Sequence, residues 1–595
     1  MFEMEFSEGS STQEALSQED RKFLAIVENG IRHREDGHYE MPMPLKVPTP
    51  ALPNNHEVAL RHLNQLKRKF KTDKRYRDDH AVFMEKVLSN GFAEEVPPVE
   101  VEASNEGKVW YIPHHGVYHP KKLTKIRVVF DCSIEFHNES LNKHLLQGPD
   151  LTNNLVGVLC SFRKEPVVLM GDIEGMFHQV GVAEQDRDLL RFLWWKDGDL
   201  TKEPAEFRMT VHLFGATSSP ASANYALKMS ANDNEKNLGA EAANFICRDF
   251  YVNRLTSVES IQDAVALNNN TKGMCKRGGF KLHKFTSSHK EVIEAIPIEE
   301  QAKGIQSIDL DKEAIPVERA LGVQWCVEKD SFHFRIVLKD CPCTRRGILS
   351  TVSSIYDPLG FVAPALMEGK KILQERCWEK ADWDDSVLEN IKARWERWRE
   401  ELPTVEELPI PRCYKPSNFG RIAEAQLHHF SDASTQGYSK WSYLRLRNDE
   451  GYIHCSFVIG KAGVALLKPV TVPRLELTAA VVTVKTSVQL QWELDYEGAE
   501  EVFWTDIKVV LGYISIKTRR FHIFVSNRVQ QIQEQSSPDQ WHEVSAPKDF
   551  RNQVGLLDQP LCGKIMPVGP YTLQAKLKKS SHCLKMIPKS RAKLP

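Results

Sequence analysis

Val167-Val168-Leu169-Met170-Gly171-Asp172-Ile173-Glu174-Gly175-Met176-Phe177-His178-Gln179-Val180 is the stretch on which the reading of the N-terminal half turns. Its four leading apolar residues predict a buried strand that delivers Asp172 to a turn. A carboxylate in that place can hold a catalytic metal, but a lone aspartate at a strand end is more often a cap or turn residue. The neighbouring sequence has to decide.

Around this stretch lie 595 residues, too many for one hydrophobic core and enough for about three or four domains. Hydrophobic residues make up 41% and charged residues 27%, an ordinary balance for a soluble protein, while the net charge of -2 hides strong local asymmetry. The 12 cysteines are scattered, with only Cys341 and Cys343 close together, so neither a CxxC pair nor a zinc-knuckle spacing occurs. Scattered thiols, a polar and acidic N-terminus (Glu3, Glu5, Glu8) and no apolar run of membrane-spanning length predict an intracellular protein, cytoplasmic or nuclear, without a membrane partner. Oligomeric state is not legible.

Segment boundaries follow from composition. Residues 1–16 are Ser/Glu-rich and predicted disordered. Ser17-Gln18-Glu19-Asp20 reads as a helix start. The Pro-rich run from Met41 to Pro53 must be extended. Residues 57–90 predict a basic amphipathic helix with Leu60, Leu63, Leu66 and Phe70 on its apolar face, closing a segment 17–107. Strand patterns dominate 108–340, including a hairpin across Lys329-Asp330. Helices fill 341–402, where Trp378, Trp383, Trp395 and Trp398 are expected to pack. Pro-rich 403–419 reads as a linker, 420–557 as a second α/β unit, and 558–595 as a basic disordered tail.

That second unit carries Phe430-Ser431-Asp432-Ala433-Ser434, Arg474-Leu475-Glu476-Leu477, Phe503-Trp504-Thr505-Asp506 and Ala546-Pro547-Lys548-Asp549. Asp432 and Asp506 follow apolar stretches, as strand ends do, and Glu476 opens a helix. Acids delivered by separate strands and helices suit convergence on one metal pair, although any one alone reads as a cap or solvated charge. Asp432-Ala433-Ser434 is not an aspartic-protease motif, which needs Asp-Thr/Ser-Gly and a paired copy.

The order of Asp172 to Val180, Leu213-Phe214-Gly215-Ala216-Thr217-Ser218-Ser219-Pro220 and Phe250-Tyr251-Val252 resembles a reverse transcriptase. With Leu190 to Trp195, Tyr356-Asp357-Pro358-Leu359-Gly360-Phe361 and the four acids, the chain resembles the BEL/Pao class of long-terminal-repeat retrotransposons over about residues 17–557. The resemblance implies a multidomain α+β architecture: fingers from 17, fingers and palm over 108–340, a thumb or connection over 341–402, and an α/β ribonuclease H-like domain over 420–557. It implies Asp172 as the first metal-binding acid of the palm and Phe177 as the residue under the incoming sugar. Gly215 would shape the nucleotide pocket, and Lys125 and Arg127 would contact the triphosphate. Asp432, Glu476, Asp506 and Asp549 would ligate two Mg²⁺ (or Mn²⁺) to hydrolyse RNA in an RNA–DNA hybrid, and the other partner would be an RNA or DNA template-primer. His114, His115 and His119 match the fingers segment and read as structural.

The departures are specific. The family has Tyr-Val-Asp-Asp where this chain has Tyr251-Val252-Asn253-Arg254. Two-metal nucleotidyl transfer needs carboxylates that hold two cations about 4 Å apart, and an amide with a guanidinium supplies neither charge nor site. Asp249, roughly 13 Å upstream along an extended strand, is not expected to substitute. In the second unit Ile507, Ser439-Lys440 and the residues after Asp549 also differ, but all four acids remain. Two readings stand: a ribonuclease H beside a damaged polymerase, and a non-catalytic nucleic-acid-binding relic or domesticated protein.

Overall fold

The computed structural model describes residues 16–102, 107–119, 122–250, 253–302, 317–320, 323–408, 410–465, 470–496, 498–516 and 520–544. Of the segment 1–16 expected to be disordered, residues 1–15 lie outside them, as do the expected tail 558–595 and the residues Tyr251, Val252 and Asp549.

Helix α1 (Gln18–Gly30) starts where the sequence says it should: Ser17 and Asp20 form a reciprocal capping box, and Phe23 and Val27 are buried. The single basic helix expected over 57–90 is two, α2 (His56–Thr72) and α3 (Lys74–Ser89). Asp73 between them is extended, and its carboxylate accepts the Tyr76 N–H at 2.9 Å. One residue thus closes one helix and caps the next. A hairpin follows, β1 (His114–His119) with β2 (Lys122–Phe130). His114 is buried, 3.1 Å from the Leu193 carbonyl, and desolvation pushes it down to about 4, as a structural histidine requires.

Helix α4 (Leu155–Lys164) leads into β3 (Val167–Ile173), the centre of a three-stranded sheet. Its neighbours β4 (Asn253–Val258) and β5 (Leu282–Ser287) are both antiparallel to it. Because side chains alternate along a strand, Val167 and Leu169 pack with α5 (Ser219–Leu238), α6 (Ala240–Asp249) and α7 (Ile261–Arg277). Val168 and Met170 face a second core. That core also receives Trp325 and Phe332 from the expected hairpin, β6 (Val323–Cys326) and β7 (Ser331–His333).

Helices α8 (Arg345–Ser354), α9 (Ala363–Trp378) and α10 (Glu389–Glu401) join this core through Ile348, Ile372, Trp395 and Trp398. Trp378 and Trp383, expected to pack, are exposed, and the Trp383 ring lies instead under the Arg345 guanidinium at 4.2 Å. The linker expected over 403–419 is also corrected. Leu402–Glu407 is helical, β8 (Ile410–Pro411) pairs with β7, and Arg412 and Tyr414 are 0% exposed. Arg412 Nε and Nη2 grip both Asp330 oxygens at 2.6 and 2.8 Å, and its other N–H groups reach the Phe162, Glu165 and Pro166 carbonyls. A guanidinium survives burial only when its fork is met in this way.

The last unit is a five-stranded sheet from β9 (Ile422–Ser434), β10 (Gly437–Asn448), β11 (Ile453–Val464), β12 (Glu500–Thr505) and β13 (Trp541–Glu543). Its order is β11-β10-β9-β12-β13, antiparallel through the first three and parallel thereafter. Helix α11 (Val472–Leu494) covers one face, with α12 (Lys508–Ser515) and α13 (Ile523–Gln535) beside it. On the other face Phe430, Tyr443 and Phe457 share the core of α9 and α10. Gly360 (φ +72) makes the fit possible, since a Cβ there would lie 1.8 Å from the Gly460 carbonyl oxygen. Among the described residues no helix is long and apolar enough to cross a membrane.

One side chain is out of keeping. Lys440 on β10 is 0% exposed and its Nζ has no hydrogen-bond partner among the described residues. Burial holds its ammonium far below the usual lysine range. With the folded pKa depressed, the unfolded chain binds the extra proton, so this residue's cost grows as pH falls. Lys440→Met should raise Tm by roughly 2–5 °C at neutral pH. The gain should shrink toward about pH 10, and thermal denaturation showing no gain would contradict the assignment.

Candidate active site

Parallel pairing of β9 with β12 sets two acids side by side. Ser431 is in register with Thr505, so Asp432 on β9 and Asp506 just beyond β12 leave the sheet together. Glu476 comes from the second turn of α11, which crosses β9 on its buried face. The three carboxylates lie within 4.8 Å of one another, and no other such acidic group occurs among the described residues. The Ala433 N–H donates to Glu476 Oε1 at 2.8 Å, while Oε2 is buried without a hydrogen-bond partner among the described residues.

Crowded, desolvated carboxylates resist ionisation. Burial, then the charge of Asp506, raises Asp432 to about 6. Burial, Asp506 and Asp432 together raise Glu476 to about 8, and burial raises Asp506. A cluster of hard oxygen donors with an orphaned carboxylate oxygen fits a divalent cation such as Mg²⁺ or Mn²⁺. Asp549, the expected fourth ligand, lies outside the described residues. Ser439 stands opposite Asp432, so the departure at Ser439-Lys440 falls on the strand beside the acid.

The other expected site is different. Asn253 on β4 stands directly opposite Asp172, and Arg254 opposite Gly171. On the other flank β5 bulges after His283, with Lys284 in the left-handed region (φ +55). Lys284 Nζ lies 2.6 Å from Asp172 Oδ2, and His283 Nε2 lies 3.4 Å from it. Neither residue was singled out from the sequence, because only the bulge turns Lys284 onto the acid. Asp249 is the last residue of α6, not part of an extended strand, and its carboxylate is 3.3 Å from Thr256 Oγ1. Burial raises it to about 6.

The expected nucleotide-binding residues partly converge. The Arg127 guanidinium lies 4.6 Å over the Phe214 ring, and the Phe177 ring is 5.7 Å from Phe214 on the same chain surface. Gly215 (φ +127) follows, where a Cβ would meet the Phe130 carbonyl oxygen at 2.4 Å. Lys125 lies on β2, with no side-chain position described.

Residues 344–507 match the family described as Pao retrotransposon-like RNaseH-like domain. This segment is similar to that family of ribonuclease H-like domains. The retroelement resemblance read from the sequence is thereby borne out. The chain is also similar to the foamy viral protease-reverse transcriptase dRH solved in complex with ds DNA, at 13% identity over 80% of this chain and 70% of that one, with a TM-score of 0.51. At that identity the likeness is one of fold. The foamy viral protease-reverse transcriptase in complex with RNA/DNA hybrid aligns over 97% of this chain and 62% of that one, at 12% identity and a TM-score of 0.49. No curated protein matches the chain.

The raised carboxylates of the acidic cluster dictate a pH signature. Their protonated forms are favoured in the folded state, so stability without metal falls as pH climbs from the usual carboxylate range to about 8. A divalent cation reverses this by displacing the protons. The Tm gain from millimolar Mg²⁺ should be small near about pH 5, largest above about pH 8, and mostly lost in Glu476→Gln. A pH-independent gain would rule out binding at the triad.

Proposed function

We propose that this protein is a divalent-metal-dependent ribonuclease H that cuts RNA in RNA–DNA hybrids, joined to a polymerase module that no longer synthesises DNA. The observation that carries the proposal is the convergence of Asp432, Glu476 and Asp506 within 4.8 Å on a Pao-type domain. Asp549 is proposed as the fourth ligand. When bound, two Mg²⁺ (or Mn²⁺) would neutralise the scissile phosphate and ease proton loss from the attacking water. Asp432 and Asp506 present oxygens from adjacent strand ends, and the Ala433 N–H holds Glu476 so that Oε2 is left for ligation.

The remaining assignments belong to the same reading. Residues 17–340 act as fingers and palm and 341–402 as thumb or connection, with Arg127, Phe177, Gly215 and Lys125 lining a vestigial nucleotide pocket that still favours template-primer binding. Asn253 and Arg254 remove the acidic partners of Asp172, and the Lys284 ammonium offers that acid a counter-charge in place of a metal. The protein acts inside the cell, in cytoplasm or nucleus. A non-catalytic nucleic-acid-binding relic is the second reading, favoured by the unpartnered Lys440 in the core of the nuclease domain.

Incubation with a labelled hybrid and Mg²⁺ should cleave the RNA strand, and Asp506→Asn should lower the rate at least about a hundredfold. Equal cleavage by both proteins would refute hydrolysis at the triad, and no cleavage by a folded wild type selects the relic. Primer extension on the same preparations should give no templated product. Robust synthesis would refute the role given to Asn253 and Arg254.

A further inference from the structure

The face of the nuclease sheet that α11 does not cover holds a feature the proposed hydrolysis leaves unexplained. Helices α9 and α10 stand off from the β9–β10 turn, and the space between is a cleft of about 670 Å³. Asp432 itself lines it, so the cleft opens directly from the acidic cluster. That volume lies within the range of pockets for small ligands, about 300–1,000 Å³, and has room for roughly one or two nucleotides.

The charges on the cleft walls are unequal in their freedom. Arg394 is held by Glu368 and Glu375, both at 2.7 Å. Lys371 Nζ donates to Gln436 Oε1 at 2.6 Å, which ties α9 to the β9–β10 turn. Arg397, one helical turn beyond Arg394 on α10, lines the same cleft, is exposed, and has no ion-pair partner among the described residues. The half-buried indole of Trp441 completes the wall. Asp432, the guanidinium of Arg397 and the Trp441 ring line one cleft with Glu401, and the first three match a nucleotide strand whose scissile phosphate sits at the acids and whose flanking phosphate reaches the arginine.

We propose that this cleft takes single-stranded RNA flanking the cleaved bond, gripped at a backbone phosphate by Arg397, so that the protein prefers hybrids whose RNA strand continues beyond the duplex. The proposal rests on the ribonuclease reading for its substrate. It adds a positioning residue from α10, outside the five-stranded sheet and its helix layer. Arg397 touches no acid of the cluster, so its role is to hold the strand and not to take part in bond breaking.

The test uses the full-length chain carrying Asp506→Asn, so that binding is read without cleavage. Fluorescence anisotropy should show a hybrid with a single-stranded RNA extension binding about tenfold tighter than its blunt counterpart. Arg397→Ala should abolish that difference, Arg397→Lys should keep part of it, and the log–log salt slope should flatten by about 0.7 for the lost single-strand phosphate contact. In the otherwise wild-type chain, Arg397→Ala should raise KM for the extended hybrid with kcat unchanged. Equal binding of both hybrids by the parent, or a preference that survives Arg397→Ala, overturns the cleft assignment. Preferential binding without any cleavage by the wild type overturns the ribonuclease reading and leaves the cleft standing.

Discussion

Arg412 is a cation with no access to water, and the junction between the two halves of the molecule is arranged around it. Asp330 on the β6–β7 turn receives its fork, and the end of α4 with the residues entering β3 supplies the carbonyls. Arg163 adds a second buried guanidinium, donating to the Arg412 carbonyl at 3.0 Å and to the Val458 carbonyl at 3.3 Å, with the Tyr414 ring 4.2 Å away. Breaking a buried ion pair from one side costs on the order of 3–5 kcal/mol, because the remaining charge is stranded. The segment expected to be a linker is therefore a place where the two halves are held together. The core confirms it: Val168 of β3, Phe332 of β7, Trp395 of α10 and Phe430 of β9 belong to one continuous apolar cluster.

That rigidity bears on chemistry through β9. One face of the strand packs on α11 and the other on the α9–α10 layer, so the position of Asp432 is fixed from both sides. Glu476 is then brought in by α11 and Asp506 by a parallel neighbour, and the mutual repulsion of the three is what a divalent cation relieves. Asp172, by contrast, sits between an amide-bearing residue on β4 and a lysine on β5. The same residue type at two strand ends has opposite surroundings. In one site carboxylates crowd each other, and in the other a cation is already in contact.

Local rules carried much of the fold. The capping box at Ser17, the apolar run of β3, the hairpin across Lys329-Asp330 and the strand–helix–strand order of the acidic unit are all readable because their causes lie within a few residues. Asp73 was missed for a related reason, since helical periodicity continues across it and only its extended backbone interrupts the helix. The misread linker is different in kind. Its proline content suggested a linker but is silent on whether a short extended piece will add to a sheet edge, as β8 does beside β7.

The sequence by itself determined which residues are candidates for chemistry: the acids at 432, 476 and 506, their flanking apolar strands, and an asparagine and an arginine at 253 and 254. Their types and spacings are covalent facts, and the periodicity that places them on strands and helices is local. Only the tertiary structure decided which of them meet. Parallel pairing of β9 with β12, the crossing of α11 and the bulge that turns Lys284 onto Asp172 depend on contacts between residues tens to hundreds of positions apart. Charge repulsion, desolvation and the Arg397 cleft likewise exist only once those distant segments share a few ångströms of space.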